Sequence, residues 1–314
     1  MIATQQQAEA GREGIKIHAP SPGIYEAVPF DTYLTWDAQS NSGLGGIERS
    51  LLHYRFHPPI EETDPMRFGT FCHLGRLEPS ALFRNYVVMP DLTQGICTKD
   101  GKAAKSPKAT AEYAERVERW EAANAPGKII VTQDEFNAMV GVVAALDANE
   151  LAHKWFTSPG QNEVCIVWDD PDTGIRCKGR LDKLARGIGI IADLKTTRDC
   201  LWFAKQIAER RYYRQGAMYI DGVMVLTGEV CQFGIVAVEN TQPFGVMAAP
   251  LKESAVDLGR EEYKAALRQI ADARRTNVWP GYENPAEWSL PAWRTNGEAS
   301  ESVTLSIAGS QVSL

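Results

Sequence analysis

From residue 163 the sequence changes its period, and that change limits the fold more than any other feature. Residues 163–168, 176–185 and 188–195 read as strands, separated by the turn DDPDTG at 169–174 and by a second turn at 186–189. Three strands joined this closely form a meander, so a sheet must stand at the centre. The stretch 175-IRCKGRLDKLARGIGIIADLKTT-197 then sets Asp182, Asp193 and Lys195 into strands that are otherwise apolar. Side chains two apart on a strand share a face, so Asp193 and Lys195 point one way while Leu194 points into the core. The 186–189 turn folds the middle strand back so that Asp182 lies beside Asp193. Neighbouring carboxylates repel, and one is driven to keep its proton unless a cation lies between them. A hard divalent ion with oxygen ligands, Mg²⁺ or Mn²⁺, resolves the conflict, and the Leu194 carbonyl is a candidate further ligand. Lys195 is then placed to orient or deprotonate an attacking water, or to steady charge on a phosphorane. An Asp-x-Lys pair is by itself common on a solvated strand. Ile190-Ile191-Ala192, however, is too apolar for an exposed edge, and the pair falls at a strand end.

The remainder of the chain supplies helices. Residues 1–20 are polar and aperiodic, which predicts a flexible arm. Ser42 is a plausible N-cap for a helix to about residue 54, a second helical pattern covers 66–79 and stops at Pro79, and helices follow at about 109–123 and 134–149. The last of these opens on the capping box Thr132 to Glu135. After residue 197 a helical region spans about 201–226, strands return at 229–238 and 244–249, and a long amphipathic helix covers about 252–275. The order predicts one domain over 21–282, with a helical part at 21–160 and a catalytic core at 161–282, and a tail at 283–314. The fold class is α/β or α+β.

Composition removes several alternatives. The cysteines at 72, 97, 165, 177, 200 and 231 show no CxxC spacing, which disfavours disulfides, a zinc site and an iron–sulfur cluster. No run of about 18 apolar residues and no basic-then-apolar leader is seen, so the expectation is a cytoplasmic protein without a membrane partner. There is no GxxxxGK[ST] loop or nucleophile elbow. A net charge of −7 means that any grip on nucleic acid has to be local. The basic loop holding Lys99, Lys102, Lys105 and Lys108 reads equally as a solvated surface and as a backbone grip. Arg210, Arg211 and Arg214 supply a second local positive patch.

Asp182, the step of eleven to Asp193-Leu194-Lys195, and a following helix with 215-QGAMY-219 together resemble the PD-(D/E)xK nuclease superfamily, in its RecB-like branch with a QxxxY motif. The stretches 40-SNSGLGGIERSLLHYRF-56 and 66-MRFGTFCHLGRLEP-79 are similar to the opening of exodeoxyribonuclease VIII (RecE-type) catalytic domains of phage and prophage origin. The resemblance covers about residues 25–280. It implies a restriction-endonuclease-like core, a mixed central sheet flanked by helices, with an N-terminal helical elaboration. A lone histidine on an apolar helix face is more often a hydrogen-bonded core residue; the resemblance instead implies that His73 joins the metal site. Glu163 matches an acidic position that supports the metal or its water. Gln215 and Tyr219 share one helical face with Arg211, and the resemblance implies that Gln215 contacts the phosphate or Lys195 while Tyr219 packs beneath.

The implied activity is Mg²⁺-dependent 5′→3′ digestion of double-stranded DNA ends, leaving 3′ single-stranded overhangs for recombination in a bacterial or phage-infected cell. A homo-oligomeric ring and a single-strand annealing recombinase of the RecT type are the implied partners. Two alternatives stay open: a RecB-like nuclease acting on single-stranded or flap DNA, and an end-binding protein with a degenerate site.

Overall fold

Six strands hydrogen-bond into one mixed sheet, and the meander expected after residue 163 forms its middle. The computed structural model describes residues 17–56, 58, 62–98, 100–284 and 288, with the backbone of 304–307 and 310–313. The first half of the chain contains β1 (Ile17–His18), β2 (Gly23–Tyr25), α1 (Phe30–Thr35), β3 (Trp36–Asp37), α2 (Leu51–Arg55), α3 (Asp64–Leu77), α4 (Pro79–Asn85), β4 (Tyr86–Met89), α5 (Ala111–Asn124), β5 (Ile129–Thr132), α6 (Gln133–Ala148) and α7 (Glu150–Thr157). The second half contains β6 (Gln161–Asp169), β7 (Arg176–Ala185), β8 (Ile190–Thr197), α8 (Phe203–Glu209), α9 (Tyr212–Thr227), β9 (Gln232–Glu239), β10 (Val246–Pro250) and α10 (Glu253–Thr276), followed by the antiparallel pair β11 (Thr304–Ile307) and β12 (Ser310–Ser313). The sheet order is β10-β9-β8-β7-β6-β2. The β8–β9 pair is parallel, bridged by α8 and α9, and its other neighbours are antiparallel.

Both faces of the sheet are covered, which explains why β8 reads as a nearly continuous apolar run. Ile191 of β8 packs with α9 and α10 through residues such as Met218 and Leu267, whereas Ala192 and Leu194 pack with α3, α6 and α7 through Phe71, Val142 and Trp155. Gly75 lets α3 lie close on α6, since a Cβ there would collide with the Met139 thioether. Gly69, one turn before His73, faces the Thr196 hydroxyl, 3.2 Å from where its Cβ would stand. These two glycines let α3 settle onto the sheet beside β8.

The N-terminal expectations need correction. Ser42 does not cap a long helix; Ser42–Leu44 is one 3₁₀ turn, and α2 starts later, with the Ser50 hydroxyl accepting the His53 N–H at 3.1 Å. Gly46, at φ +84°, takes a left-handed turn that a helix cannot continue through. Pro79 ends α3 as expected and also opens α4 from the first turn, where it costs no hydrogen bond. The capping box at Thr132 and Glu135 is formed. Most of the expected arm and tail, and Lys99, lie outside the described residues. Among the described residues no helix is long and apolar enough to cross a membrane.

The segment before α2 is fastened to the sheet layer by charge. Arg214, on the first turn of α9, is 5% exposed; it donates to Asn41 Oδ1 at 2.8 Å and to Glu48 Oε1 at 2.6 Å. Arg211 reaches the same Glu48 oxygen at 2.9 Å and also Glu262 on α10 at 3.4 Å. Burial opposes the Glu48 charge, but its own backbone hydrogen bonding and the two guanidinia hold its carboxyl below its ordinary value of 4.5. A lowered folded-state pKa means the stabilisation is complete above the unfolded value and fades as pH falls through the folded one. We therefore expect Glu48→Gln to lower the thermal midpoint by a constant amount from pH 7 to about 5, with the gap to wild type closing below about 4.5. Scanning calorimetry of both proteins across pH 3–7 measures it, and a gap that widens on acidification would refute the clamp.

Candidate metal and catalytic site

The backbone opens at Asp182. The β6–β7 ladder pairs Asn162 with Lys183 and Val164 with Leu181 but omits the step between them, and the β7–β8 ladder ends at Lys183–Ala192. Asp182 is thus released from ladder pairing on both sides. Its carboxylate takes over one lost bond, Oδ2 accepting the Leu194 N–H at 2.6 Å. Opposite it, Glu163 takes a left-handed backbone, φ +49°, which a side chain with a Cβ adopts only where its surroundings hold it.

α3 delivers His73 onto this opening. Its Nε2 lies 2.8 Å from the Leu194 carbonyl, and its Nδ1 lies 3.5 Å from Asp182 Oδ2 and 3.7 Å from Glu163 Oε1. One ligand atom each from His73, Glu163 and Asp182 lie within 4.8 Å of one another, a grouping that can hold a metal ion. Arg180 fixes the far side of Glu163, donating from Nε to Oε2 at 2.7 Å and from Nη1 to the Val28 carbonyl at 2.8 Å. Across Leu194 stands the second acid. Asp193 Oδ1 accepts from Gln215 Nε2 at 2.8 Å, and Oδ2 is 2.6 Å from Lys195 Nζ. That ion pair is close but not aligned as a hydrogen bond, so the buried Asp193 Oδ2 has no aligned donor. Lys195 Nζ also lies 4.9 Å from the Tyr212 ring centre, a cation–π contact.

Burial and mutual charge set the protonation. Burial drives the Asp182 carboxyl up to about 7, against the pull of His73 and reinforced by Asp193. Burial pulls His73 down, but Asp182 and Glu163 outweigh it and lift the imidazole to about 9. Burial also opposes the Glu163 charge, and His73 and Arg180 overcome it, leaving that carboxyl lowered. Lys195 is raised: burial works against its charge and loses to Asp193 and Asp182. The imidazolium supplies positive charge that the carboxylates of Asp182 and Glu163 demand.

The donor set fits a hard divalent ion. It offers carboxylates, one imidazole and a main-chain carbonyl, with one buried carboxylate oxygen lacking an aligned partner. The expected ligands His73, Asp182, Asp193 and Leu194 do gather here, but the tight triangle is completed by Glu163, which had been assigned only a supporting part. Asp193 is turned toward Lys195 and Gln215. Tyr219 is buried beneath the sheet, its ring filling the space a Cβ on Gly179 would need and meeting Phe233 edge-on at 6.1 Å. It is a core residue of α9, one turn beyond Gln215. Arg211 and Arg214 do not present their charge as the sequence suggested. They are committed to Glu48, Glu262 and Asn41, and only Arg210 of the three is fully exposed. Lys102 and Lys105 are exposed. Sequence reading missed Arg180 and Tyr212; the position of Arg180 two before Asp182 on the same strand was the available signal.

A family profile described as a PDDEXK-like domain of unknown function (DUF3799) matches residues 51–288. The chain belongs to that family, in keeping with the superfamily resemblance of its D…DxK and QxxxY motifs. Among solved structures, a protein of inferred exonuclease function from Eubacterium rectale superposes with a TM-score of 0.55 at 12% identity, over 88% of this chain and all of the other, which shows a shared fold. The SSO0001 protein aligns over 49% of this chain and 70% of its own at 16% identity, with a TM-score of 0.25, too low to carry any argument. No curated protein matches significantly.

The opening at Asp182 gives this carboxylate two roles that mutation can resolve, as acceptor for the Leu194 N–H and as buried charge. Asp182→Asn keeps an acceptor for the Leu194 N–H and removes a charge that burial disfavours. Asp182→Ala leaves that buried N–H unpaired, at a cost of about 1–3 kcal/mol. In EDTA we expect the Asn variant to melt at or above wild type and the Ala variant below it. On adding Mn²⁺ only the wild type should gain stability, by mass action; equal gains in all three would place the ion elsewhere.

Proposed function

We propose that this protein is a divalent-metal-dependent deoxyribonuclease that hydrolyses phosphodiester bonds from the ends of double-stranded DNA, 5′→3′, leaving 3′ single-stranded overhangs for recombination. The observation that carries the nuclease reading is the convergence of His73, Glu163, Asp182, Asp193 and Lys195 around the Leu194 peptide, in a chain of the PDDEXK-like family. The polarity and the preference for ends rest on the likeness of 40–56 and 66–79 to RecE-type domains, as do the annealing-protein partner and the ring.

His73, Glu163 and Asp182 would hold the ion, with Asp193 Oδ2 and the Leu194 carbonyl beside them. When bound, Mg²⁺ or Mn²⁺ supplies Lewis-acid polarisation of the phosphoryl oxygens and a more acidic water. The chain supplies the rest. Lys195, kept as an ammonium by Asp193 and cradled on the Tyr212 ring, is suited to donating hydrogen bonds to the attacking water or to the phosphorane, and not to taking a proton from the water. Gln215 anchors Asp193 so that its second oxygen and Lys195 move as a unit. The water oxygen bonds to phosphorus as the P–O bond to the leaving sugar oxygen breaks; the water gives up a proton to solvent, and the leaving oxygen takes one from solvent. Exposed Arg210, Lys102 and Lys105 are candidates for backbone contacts.

The experiment uses linear duplex labelled at either the 5′ or the 3′ end, single strands and closed circles, each with Mg²⁺ or EDTA. We expect metal-dependent mononucleotide release from the 5′ ends of linear duplex and intact circles. Lys195→Ala should lower kcat by about 100-fold or more. Equal attack on circles would defeat the exonuclease assignment, and unchanged activity in Lys195→Ala would defeat the mechanism.

A further inference from the structure

The strand that carries Asp193 and Lys195 runs directly into an exposed apolar step. Leu201 and Trp202 are 82% and 69% exposed. Single exposed apolar residues are ordinary on protein surfaces, but this pair is held out by a well-braced loop. Thr197 Oγ1 accepts from Asp199 N at 3.4 Å and from Gln206 Nε2 at 2.7 Å, the Asn240 N–H donates to the Thr197 carbonyl at 2.9 Å, and Asp199 Oδ1 accepts from Leu201 N at 2.8 Å. The Cys200 N–H is taken by Glu239 Oε1 at 3.1 Å. Trp202 therefore faces solvent by construction.

Its position ties it to the catalytic lysine. Phe203, the next residue, is buried and stacks on Tyr212 at 6.0 Å between ring centres, and Tyr212 carries Lys195 Nζ on its other contact, at 4.9 Å. The stacked pair Tyr212 and Phe203 thus connects Lys195 to the residue before Phe203, the exposed Trp202. Arg198, on the same loop, is exposed and has no hydrogen bond or ion pair among the described residues. An exposed indole four residues after an uncommitted guanidinium, on the loop that continues the strand of Asp193 and Lys195, matches one ligand class: a nucleotide with its base face uncovered.

We propose that Trp202 is the platform on which an exposed base of the substrate strand stacks, with Arg198 holding the adjoining phosphate, so that the strand is steered toward Lys195. This rests on the nuclease function proposed for the site of Asp193 and Lys195. Indole stacking is indifferent to base identity and contributes affinity without sequence preference. The same face would find no partner on a closed duplex, whose bases cover one another.

The test measures binding and cleavage separately. A fluorescein-labelled oligonucleotide of about 12 nucleotides, within the range such sites cover, is titrated with Ca²⁺ in place of Mg²⁺ against the full chain, Trp202→Ala and Trp202→Phe. Support is a loss of affinity of about 5-fold or more in Trp202→Ala and substantial recovery in Trp202→Phe. One abasic sugar in the probe should weaken the wild type and leave Trp202→Ala unaffected. Unchanged binding by Trp202→Ala overturns the proposal, as does a change in its oligomeric mass by light scattering, which would assign the face to contacts between copies. Digestion with Mg²⁺ is read alongside. If the wild type degrades DNA while Trp202→Ala binds normally, the platform alone falls. If binding depends on Trp202 but no DNA is degraded, the platform stands and the nuclease reading falls.

Discussion

The hydrogen bond from the Leu194 N–H to Asp182 is the interaction on which the site depends. A central strand in a covered sheet ordinarily satisfies its N–H and C=O groups with its neighbours, because a buried unpaired group is costly. At Asp182 the β6–β7 ladder skips one step and the β7–β8 ladder ends, and a carboxylate stands in where a backbone carbonyl would have been. That substitution keeps Leu194 N satisfied and at once fixes a negative oxygen in the interior. The Leu194 carbonyl is left for His73. The main chain of one residue thereby holds a carboxylate on its N–H and an imidazole on its carbonyl, with Asp193 and Lys195 as its chain neighbours.

The charges would not persist there unaided. Each acid is held by a group from a different element: Asp182 by His73 of α3, Glu163 by Arg180 of β7, Asp193 by Gln215 of α9 and Lys195 of its own strand. Removing any one element strands a buried charge, and this is dearer than losing a surface pair. The partnering is also incomplete, since Asp193 Oδ2 has no aligned donor and Asp182 is pushed upward by burial. A fully satisfied network would be a structural core. This one leaves a buried carboxylate oxygen without an aligned donor and a carboxyl pushed upward, a pattern that marks functional sites more often than structural cores.

The half of the chain that forms most of the sheet was legible because its signals are local. Period-two apolar runs bounded by DDPDTG and RGIG mark β6, β7 and β8 in any context, and Thr132 with Glu135 marks the start of α6. What escaped the sequence depends on distant partners. Arg214 looks like a surface cation until Glu48, 166 positions away, is found against it. Glu163 belongs to the ligand triangle only because its backbone turns left-handed, and nothing in the residues QNEVC announces that. The Ser42 helix failed for a local reason that was available: Gly43, Gly45 and Gly46 follow it, and Ser50 offers a cap with a cleaner run behind it.

The internal use of Arg211 and Arg214 alters how the site is supported. Guanidinia given to Glu48 and Asn41 cannot also hold phosphate, yet they secure the first turn of α9, and that turn bears Tyr212 and Gln215. Gln215 sets Asp193, and Tyr212 seats Lys195. The segment at 40–50 is thus linked to the Asp193–Lys195 pair through the helix it clamps. This accounts physically for why a Gly-rich stretch and a D…DxK strand, far apart in sequence, belong to one functional unit. Side chains that must keep sub-ångström positions are placed on a helix pinned at its start by ion pairs and packed along its length on the sheet.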